Sequence, residues 1–283
     1  MAETFLLFKD PQLSSASAIE ESKAVSDVFR KFREATPLVH CITNYVAMNI
    51  SANVLLAAGA SPAMIHAPEE TADFARIASA LTINIGTLSP PWVEGMKKAI
   101  TAARKADVPW VFDPVGHFAT PYRAAVAQDI LKMEPTILRG NASEIIALAG
   151  QSSDAKGVDS SDPVEDAEAA ALSLATAYNS VVVITGETDF VTDGNRIARV
   201  KGGSDLMPQI TAMGCSLTCL MGGFAAVAPA LAAAVSALEL FAEAGVVASQ
   251  TAKGPGTFQP LFLDALANTT PEKLAAAGLV TWQ

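Results

Sequence analysis

The chain alternates short apolar runs with longer stretches in which apolar residues recur every three or four positions. The runs "LVHCIT" (38–43), "PAMI" (62–65), "LTINIG" (81–86), "WVFD" (110–113), "TILR" (136–139) and "VVVIT" (181–185) predict β-strands. Several are apolar throughout, as expected of strands covered on both faces of a parallel sheet. Helical patterns fill the gaps. Val25, Val28, Phe29 and Phe32 mark a first helix. "PEETADFARIASA" opens with Pro68 and two glutamates and sets Phe74, Ile77, Ala78 and Leu81 at helical spacing. "SPPWVEGMKKAITAARKA" repeats the device, with Ser89 as N-cap and Val93, Met96, Ile100 and Ala103 inward. The alternation predicts an α/β fold of three layers, α/β/α, around a mostly parallel central sheet. From about residue 211 the pattern turns helical, over 216–250 and again from 271 to the end, and these helices are expected to pack against the sheet.

Residues 1–20 lack periodicity and read as a loose arm ahead of a single domain over 21–283. The polar "GQSSDAKGVDSSDP" (150–163) reads as an exposed loop. With 51% hydrophobic residues, 283 residues suffice for one large core. A net charge of -10 and the lack of any basic run argue against a nucleic-acid surface. Small anions are a different matter, because backbone N–H groups at a helix start hold phosphate without surplus basic side chains. The three cysteines and three histidines match no disulfide framework or zinc spacing, which points to a reducing, cytoplasmic setting. The early "FLLF" is too short for the apolar core of a signal peptide. "GGFAAVAPALAAAVSALELF" (222–241) is long enough to raise a membrane span. It is mostly alanine and is broken by Pro229, so a buried helix pair is expected instead.

In open α/β sheets the ligand site lies beyond the carboxyl ends of the strands. The residues there are Thr43-Asn44, Gly86-Thr87, Asp113-Pro114-Val115-Gly116, Arg139-Gly140-Asn141 and Thr185-Gly186-Glu187. Each alone reads as a turn; their coincidence points to a site. In "TAMGCSLTCL" (211–220), Gly214 allows a sharp turn, and the N–H groups of Ala212, Met213, Gly214 and Cys215 would converge as an anion hole at a helix start. There the macrodipole is expected to lower the Cys215 thiol pKa. Spacing alone favours the other reading, a small hydrophobe entering a core helix, and Cys219 and Cys41 read as core. In "RGNASE" (139–144), Asn141 can cap a helix while Glu144 reaches back; the same carboxylate could hold a hydrated magnesium ion.

No G-x-x-x-x-G-K-[ST] loop is present, which excludes a P-loop nucleotidase; no G-x-G-x-x-G follows the first strand, which weakens a dinucleotide reading, and no G-x-S-x-G elbow supports a serine hydrolase. A cysteine hydrolase would need a histidine partner, and His40, His66 and His117 lie in no recognisable triad context.

"PLVHCITNYVAMNISANVLLAAGASPAMIHAPEE" (37–70), "NIGTL" (84–88), "DPVGHFATPYR" (113–123), "RGNASEI" (139–145), "ITGETD" (184–189), "MGCSLT" (213–218) and "KGPGTFQ" (253–259) resemble, in unbroken order, the hydroxyethylthiazole kinases of the ribokinase-like superfamily. The resemblance implies a ribokinase-like fold and ATP-dependent phosphorylation of the hydroxyl of 4-methyl-5-(2-hydroxyethyl)thiazole, which supplies the thiazole half of thiamine. It also implies Mg2+, ATP as co-substrate, and a homotrimer with sites at subunit interfaces. By motif, Cys215 falls on the family's cysteine where related kinases keep an aspartate base. Glu144 and Asp113 fall on the magnesium side, in that order of preference; Arg139 and Thr185 on ATP contacts; Met64 and Ala212 on contacts to the thiazole. One departure stands out. The family reads T-G-x-G-C where this chain has Thr211-Ala212-Met213-Gly214-Cys215. Alanine resists positive φ and Met213 is bulky, so a tighter loop or an altered acceptor pocket is expected, and a kinase for another small heteroaromatic alcohol is the nearest alternative. A non-catalytic binding protein on the same scaffold is a further one.

Overall fold

A computed structural model describes residues 25–150 and 164–283. The arm over 1–20 and all but the first residue of the polar loop over 150–163 lie outside the described residues. The first half runs from α1 (residues 25–35) through β1 (Leu38–Ile42), α2 (Met48–Ala58), β2 (Ser61–Ala63), α3 (Thr71–Ile77), β3 (Ala80–Asn84), α4 (Pro90–Lys105), β4 (Trp110–Asp113) and α5 (Pro121–Leu131) to β5 (Ile137–Asn141) and α6 (Ala142–Leu148). The second half holds α7 (Val164–Tyr178), β6 (Val181–Thr185), β7 (Thr188–Thr192), β8 (Ile197–Lys201), α8 (Met213–Ala225), α9 (Ala230–Ser249), α10 (Pro255–Asn268), α11 (Pro271–Ala277) and β9 (Val280–Trp282).

The strands form one sheet in the order β2-β1-β3-β4-β5-β6-β7-β8-β9. Pairing is parallel from β2 to β6 and antiparallel from β6 to β9. The apolar runs divide between two cores by strand periodicity. Val181 and Val183 enter the core shared with α1, α2, α8, α9 and α10, whereas Val182 and Ile184 enter the one shared with α4, α5, α6 and α7. A strand buried on both faces therefore has no polar position to show, which is why these segments read as unbroken hydrophobic runs.

Three expectations are corrected. The helix foreseen through Leu81 stops at Ile77, which is 69% exposed, and Leu81 lies inside β3. On α4, Trp92 is buried while Val93 is only half-buried. The part after residue 211 is not helical to the end, because β9 closes the sheet edge against β8. Strands β7 and β8 are joined through Asp193-Gly194, a dipeptide that marks tight hairpins. Their mixed polar and apolar residues hid them from a search for continuous apolar runs.

The alanine-rich segment is two helices, with Pro229 at the N-cap of α9. By length and composition α9 could cross a membrane, but it is mostly buried within this fold. Helix α8 approaches the sheet through Gly222 and Gly223, where an added Cβ would lie 2.4 Å from Thr82 Cγ2 and 2.7 Å from Phe32 Cε2. This contact fixes how deep α8 sits and so where its first turn meets the strand ends. Gly222→Ala is expected to destabilise the fold by about 1–3 kcal/mol through overpacking, despite the better helix propensity of alanine. Urea unfolding checks the sign.

Candidate active site

Four strands end under the first turn of α8, and alternation decides what they offer it. Val111, Ile137 and Val183 face the α8 core, so two residues further on Asp113, Arg139 and Thr185 face the same way. Asn84 lies beside Asp113 in register, and Asp113 and Arg139 follow the paired Phe112 and Leu138. The result is a polar row, Asn84, Asp113 and Arg139, across adjacent strands at their carboxyl ends. Sequence order makes β1 and β3 neighbours with β2 on the far side, so the end of β1, where Asn44 sits, is a topological switch point.

Asp113 is fully buried. Its Oδ2 accepts hydrogen bonds from Thr218 Oγ1 at 2.8 Å and Asn84 Nδ2 at 3.0 Å, with Arg139 Nη1 at 3.5 Å. Its Oδ1 is buried without a hydrogen-bond partner. Burial pushes the Asp113 carboxyl upward, against the pull of Arg139 and the donors. Arg139 Nη2 donates to Thr185 Oγ1 at 2.6 Å, which brings both residues assigned to ATP together. The guanidinium lies directly on Gly214, where an added Cβ would be 2.6 Å from Nη2.

Gly140 carries the chain into α6 through the foreseen capping box. Asn141 Oδ1 accepts from Glu144 N–H at 2.9 Å, and Glu144 Oε2 accepts from Asn141 N–H at 2.9 Å. Glu144 Oε1 also accepts from Gly116 N–H at 2.8 Å. Burial, then the charge of Asp113, pushes the Glu144 carboxyl upward. A magnesium ion takes one or two carboxylates plus phosphate and water oxygens. The pair fits such an ion: Asp113 Oδ1 has no hydrogen-bond partner, and each Glu144 oxygen accepts one backbone N–H and keeps a second lone pair. Among the described residues no cluster of three or more His, Cys, Asp or Glu side chains forms a cage, so an ion here would draw most ligands from phosphate and water.

Helix α8 begins at Met213, with Ala212 as N-cap at φ 61° and ψ 19°. A left-handed residue followed by helical ones turns successive N–H groups into a concave nest, and the first N–H groups of the helix have no intrahelical partner. Alanine adopts this conformation at a cost of roughly 1 kcal/mol. The bulk of Met213 does not crowd the loop, because its side chain is buried in the core.

Cys215 is half-buried, while Cys41 and Cys219 are buried, and all three are free. The expected lowering of the Cys215 pKa does not occur. Burial, then the charge of Asp113, pushes the thiol up to about 12, against the pull of Arg139 and the Asn44 and Asn84 amides. Asn44 Nδ2 donates to its Sγ at 3.3 Å. Met64 follows β2, half-buried, on a segment held where His40 Nε2 meets Ile65 O at 2.7 Å.

Residues that sequence reasoning passed over complete the site. Thr218 and Asn84 bind Asp113, and Asn44, noted only as a strand-exit residue, links to both Asn84 and Cys215. Arg123 donates to three carbonyls, Gly86 O at 3.2 Å, Gly116 O at 3.0 Å and Val115 O, and so ties the exits of β3 and β4 together. Asn84 did carry a signal, since an amide inside an otherwise apolar strand needs a partner.

This sheet, its polar row and the glycine-opened helix above it define a ribokinase-like protein. The pyridoxal kinase of Staphylococcus aureus has the same fold, with a TM-score of 0.58 at 16% identity over 74% of this chain and 86% of its own. The model of the hydroxyethylthiazole kinase family matches residues 29–272, and the chain belongs to that family. It is 57% identical over 273 residues to the hydroxyethylthiazole kinase of Gemmatimonas aurantiaca, covering 96% of this chain and 99% of that protein. It is 61% identical over 251 residues to that of Rhizobium etli strain CIAT 652, covering 88% and 97%. The solved structure of the hydroxyethylthiazole kinase protein from Pyrococcus horikoshii OT3 superposes with a TM-score of 0.85 at 38% identity, over 92% of this chain and 98% of that one.

The Gly214 contact is testable. Because a methyl group there meets the guanidinium that faces the buried Asp113, Gly214→Ala is expected to fold with a loss of about 1–3 kcal/mol. It should displace Arg139 and raise the KM for ATP several-fold. Thermal unfolding and initial rates check the two halves separately.

Proposed function

We propose that the protein transfers the γ-phosphoryl group of ATP to the hydroxyl of 4-methyl-5-(2-hydroxyethyl)thiazole, supplying thiazole phosphate for thiamine diphosphate. Family membership supports the acceptor and donor. The observation that carries the chemistry is the meeting of Arg139 and Thr185 with the nest of Ala212, Met213, Gly214 and Cys215 over a buried carboxylate. Phosphoryl transfer through a loose transition state asks mainly for positioning and charge stabilisation, which N–H groups and a guanidinium provide. In this reading Asp113 and Glu144 would hold magnesium, which when bound neutralises charge on the phosphate oxygens.

Cys215 lies where the acceptor hydroxyl is received. With burial and the charge of Asp113 pushing it up to about 12, the thiol is neutral at physiological pH in the ligand-free protein. Its role is therefore to orient the hydroxyl, whose proton leaves late, as the new P–O bond forms, to a phosphoryl oxygen. Met64 and Ala212 line the acceptor side, and the methyl group of Ala212 narrows it relative to glycine.

The reading extends to assembly and place. Tyr45 and Val46, next to Asn44, are 64% and 57% exposed, which supports a second copy covering the site in a homotrimer. Three free thiols support a reducing cytoplasm.

A coupled ADP-release assay tests the activity: ADP should appear only with the thiazole alcohol and magnesium together, and release independent of the alcohol would overturn it. Cys215→Ala should lower kcat on the order of tenfold at unchanged KM for ATP, less than the 10²–10⁴-fold typical of a lost general base. Cys215→Asp should keep much of the rate. Parent-like kcat in Cys215→Ala would remove the thiol from the mechanism.

A further inference from the structure

The amides of Asn44 and Asn84 form a chain whose direction is set by backbone. Asn44 Oδ1 accepts from Ala47 N–H at 3.0 Å, and Asn84 Oδ1 accepts from Gly86 N–H at 2.9 Å. These two donors fix which end of each amide is oxygen. Asn84 Nδ2 must then donate to Asp113 Oδ2, and Asn44 Nδ2 is left to serve two acceptors, Asn84 Oδ1 at 2.9 Å and Cys215 Sγ at 3.3 Å. An amide nitrogen has two hydrogens, so both are spent. Sγ is thereby an acceptor toward Asn44, and the thiol hydrogen has to turn away from it.

The backbone makes room for this arrangement. A Cβ on Gly86 would lie 2.6 Å from Asn44 Nδ2 and 2.8 Å from its Cβ and Cγ. The amide therefore reaches Sγ only because residue 86 has no side chain. Asn44 leaves β1 at the switch point, where it also starts the turn into α2, so its position is set by the fold rather than by the cysteine.

We infer that Asn44 is a positioning residue for the phosphoryl-transfer step: its amide locks the rotor of the Cys215 thiol, so that the same face of the sulfur meets the acceptor hydroxyl at every turnover. The inference rests on the proposed kinase activity. It predicts that the larger part of the effect of Asn44 on the rate passes through Cys215, the smaller part through its contact with Asn84.

The test is a double-mutant cycle. Asn44→Ser retains an oxygen to cap Ala47 N–H but is too short to reach Sγ. In the parent background it should lower kcat for the thiazole alcohol roughly tenfold, the size of one lost hydrogen bond to a poised group, with the KM for ATP unchanged. In the Cys215→Ala background the same substitution should cost less than about twofold. Equal losses in the two backgrounds, or no loss in the parent, overturn the inference while the kinase reading stands. Should the parent fail to phosphorylate the thiazole, that reading and the inference fall together; iodoacetamide tests the Asn44–Cys215 contact independently of turnover. With Cys41 and Cys219 buried, alkylation reports Cys215. Asn44→Leu keeps the bulk but removes the donor that favours the thiolate, so alkylation at fixed pH should slow roughly tenfold. An unchanged rate overturns it. The alkylation arm also serves if Asn44→Ser fails to fold.

Discussion

A carboxylate with no access to water constrains everything near it. Asp113 sits at the end of a buried strand under a helix, and an ionised carboxylate there is tolerated only if donors surround it. Three elements supply them: Asn84 from β3, Arg139 from β5 and Thr218 from α8. Sheet and helix are thus held together at the strand ends by polar contacts, whereas lower down they meet through packed methyl groups and the two glycines of α8. The same contacts orient the guanidinium across Gly214 and aim the Asn84 amide at Asn44. One buried charge therefore organises the Arg139–Gly214 contact and the Asn44–Cys215 contact at once.

Gly214 and Ala212 show the two uses of small residues in this loop. Gly214 has ordinary helical surroundings but no space for a methyl group, because Arg139 occupies it. Ala212 has a methyl group in a conformation that disfavours one, and its left-handed geometry is what turns the N–H groups inward. The strain is retained at the spot where an anion would be received.

Much of this was legible in the sequence. The six parallel strands appear as apolar runs within a few residues of their ends, since burial on both faces leaves no other pattern in the inner ones, and the half-buried edge strand β2 continues into Met64 and Ile65. The capping box of Asn141 and Glu144 was readable from spacing, because both partners lie within one turn. Other features were not. The contacts of Asn44 with Cys215 and of Thr218 with Asp113 span 171 and 105 residues of chain, and no local pattern encodes them. The thiol shift went the wrong way because a helix terminus is visible in sequence whereas the burial of Cys215 and its proximity to Asp113 are not. Strands β7 and β8 escaped because polar and apolar residues are mixed along them, and β9 because it is only three residues long.

The central claim is that the first turn of α8 and the Arg139 guanidinium together receive the phosphoryl group that moves. A crystal structure with a non-hydrolysable ATP analogue and magnesium measures this directly. The account predicts the terminal phosphate within hydrogen-bonding reach of the N–H groups of Met213 to Cys215 and of Arg139, with Asp113 facing the ion. A terminal phosphate seated out of reach of both the helix and the guanidinium would contradict it.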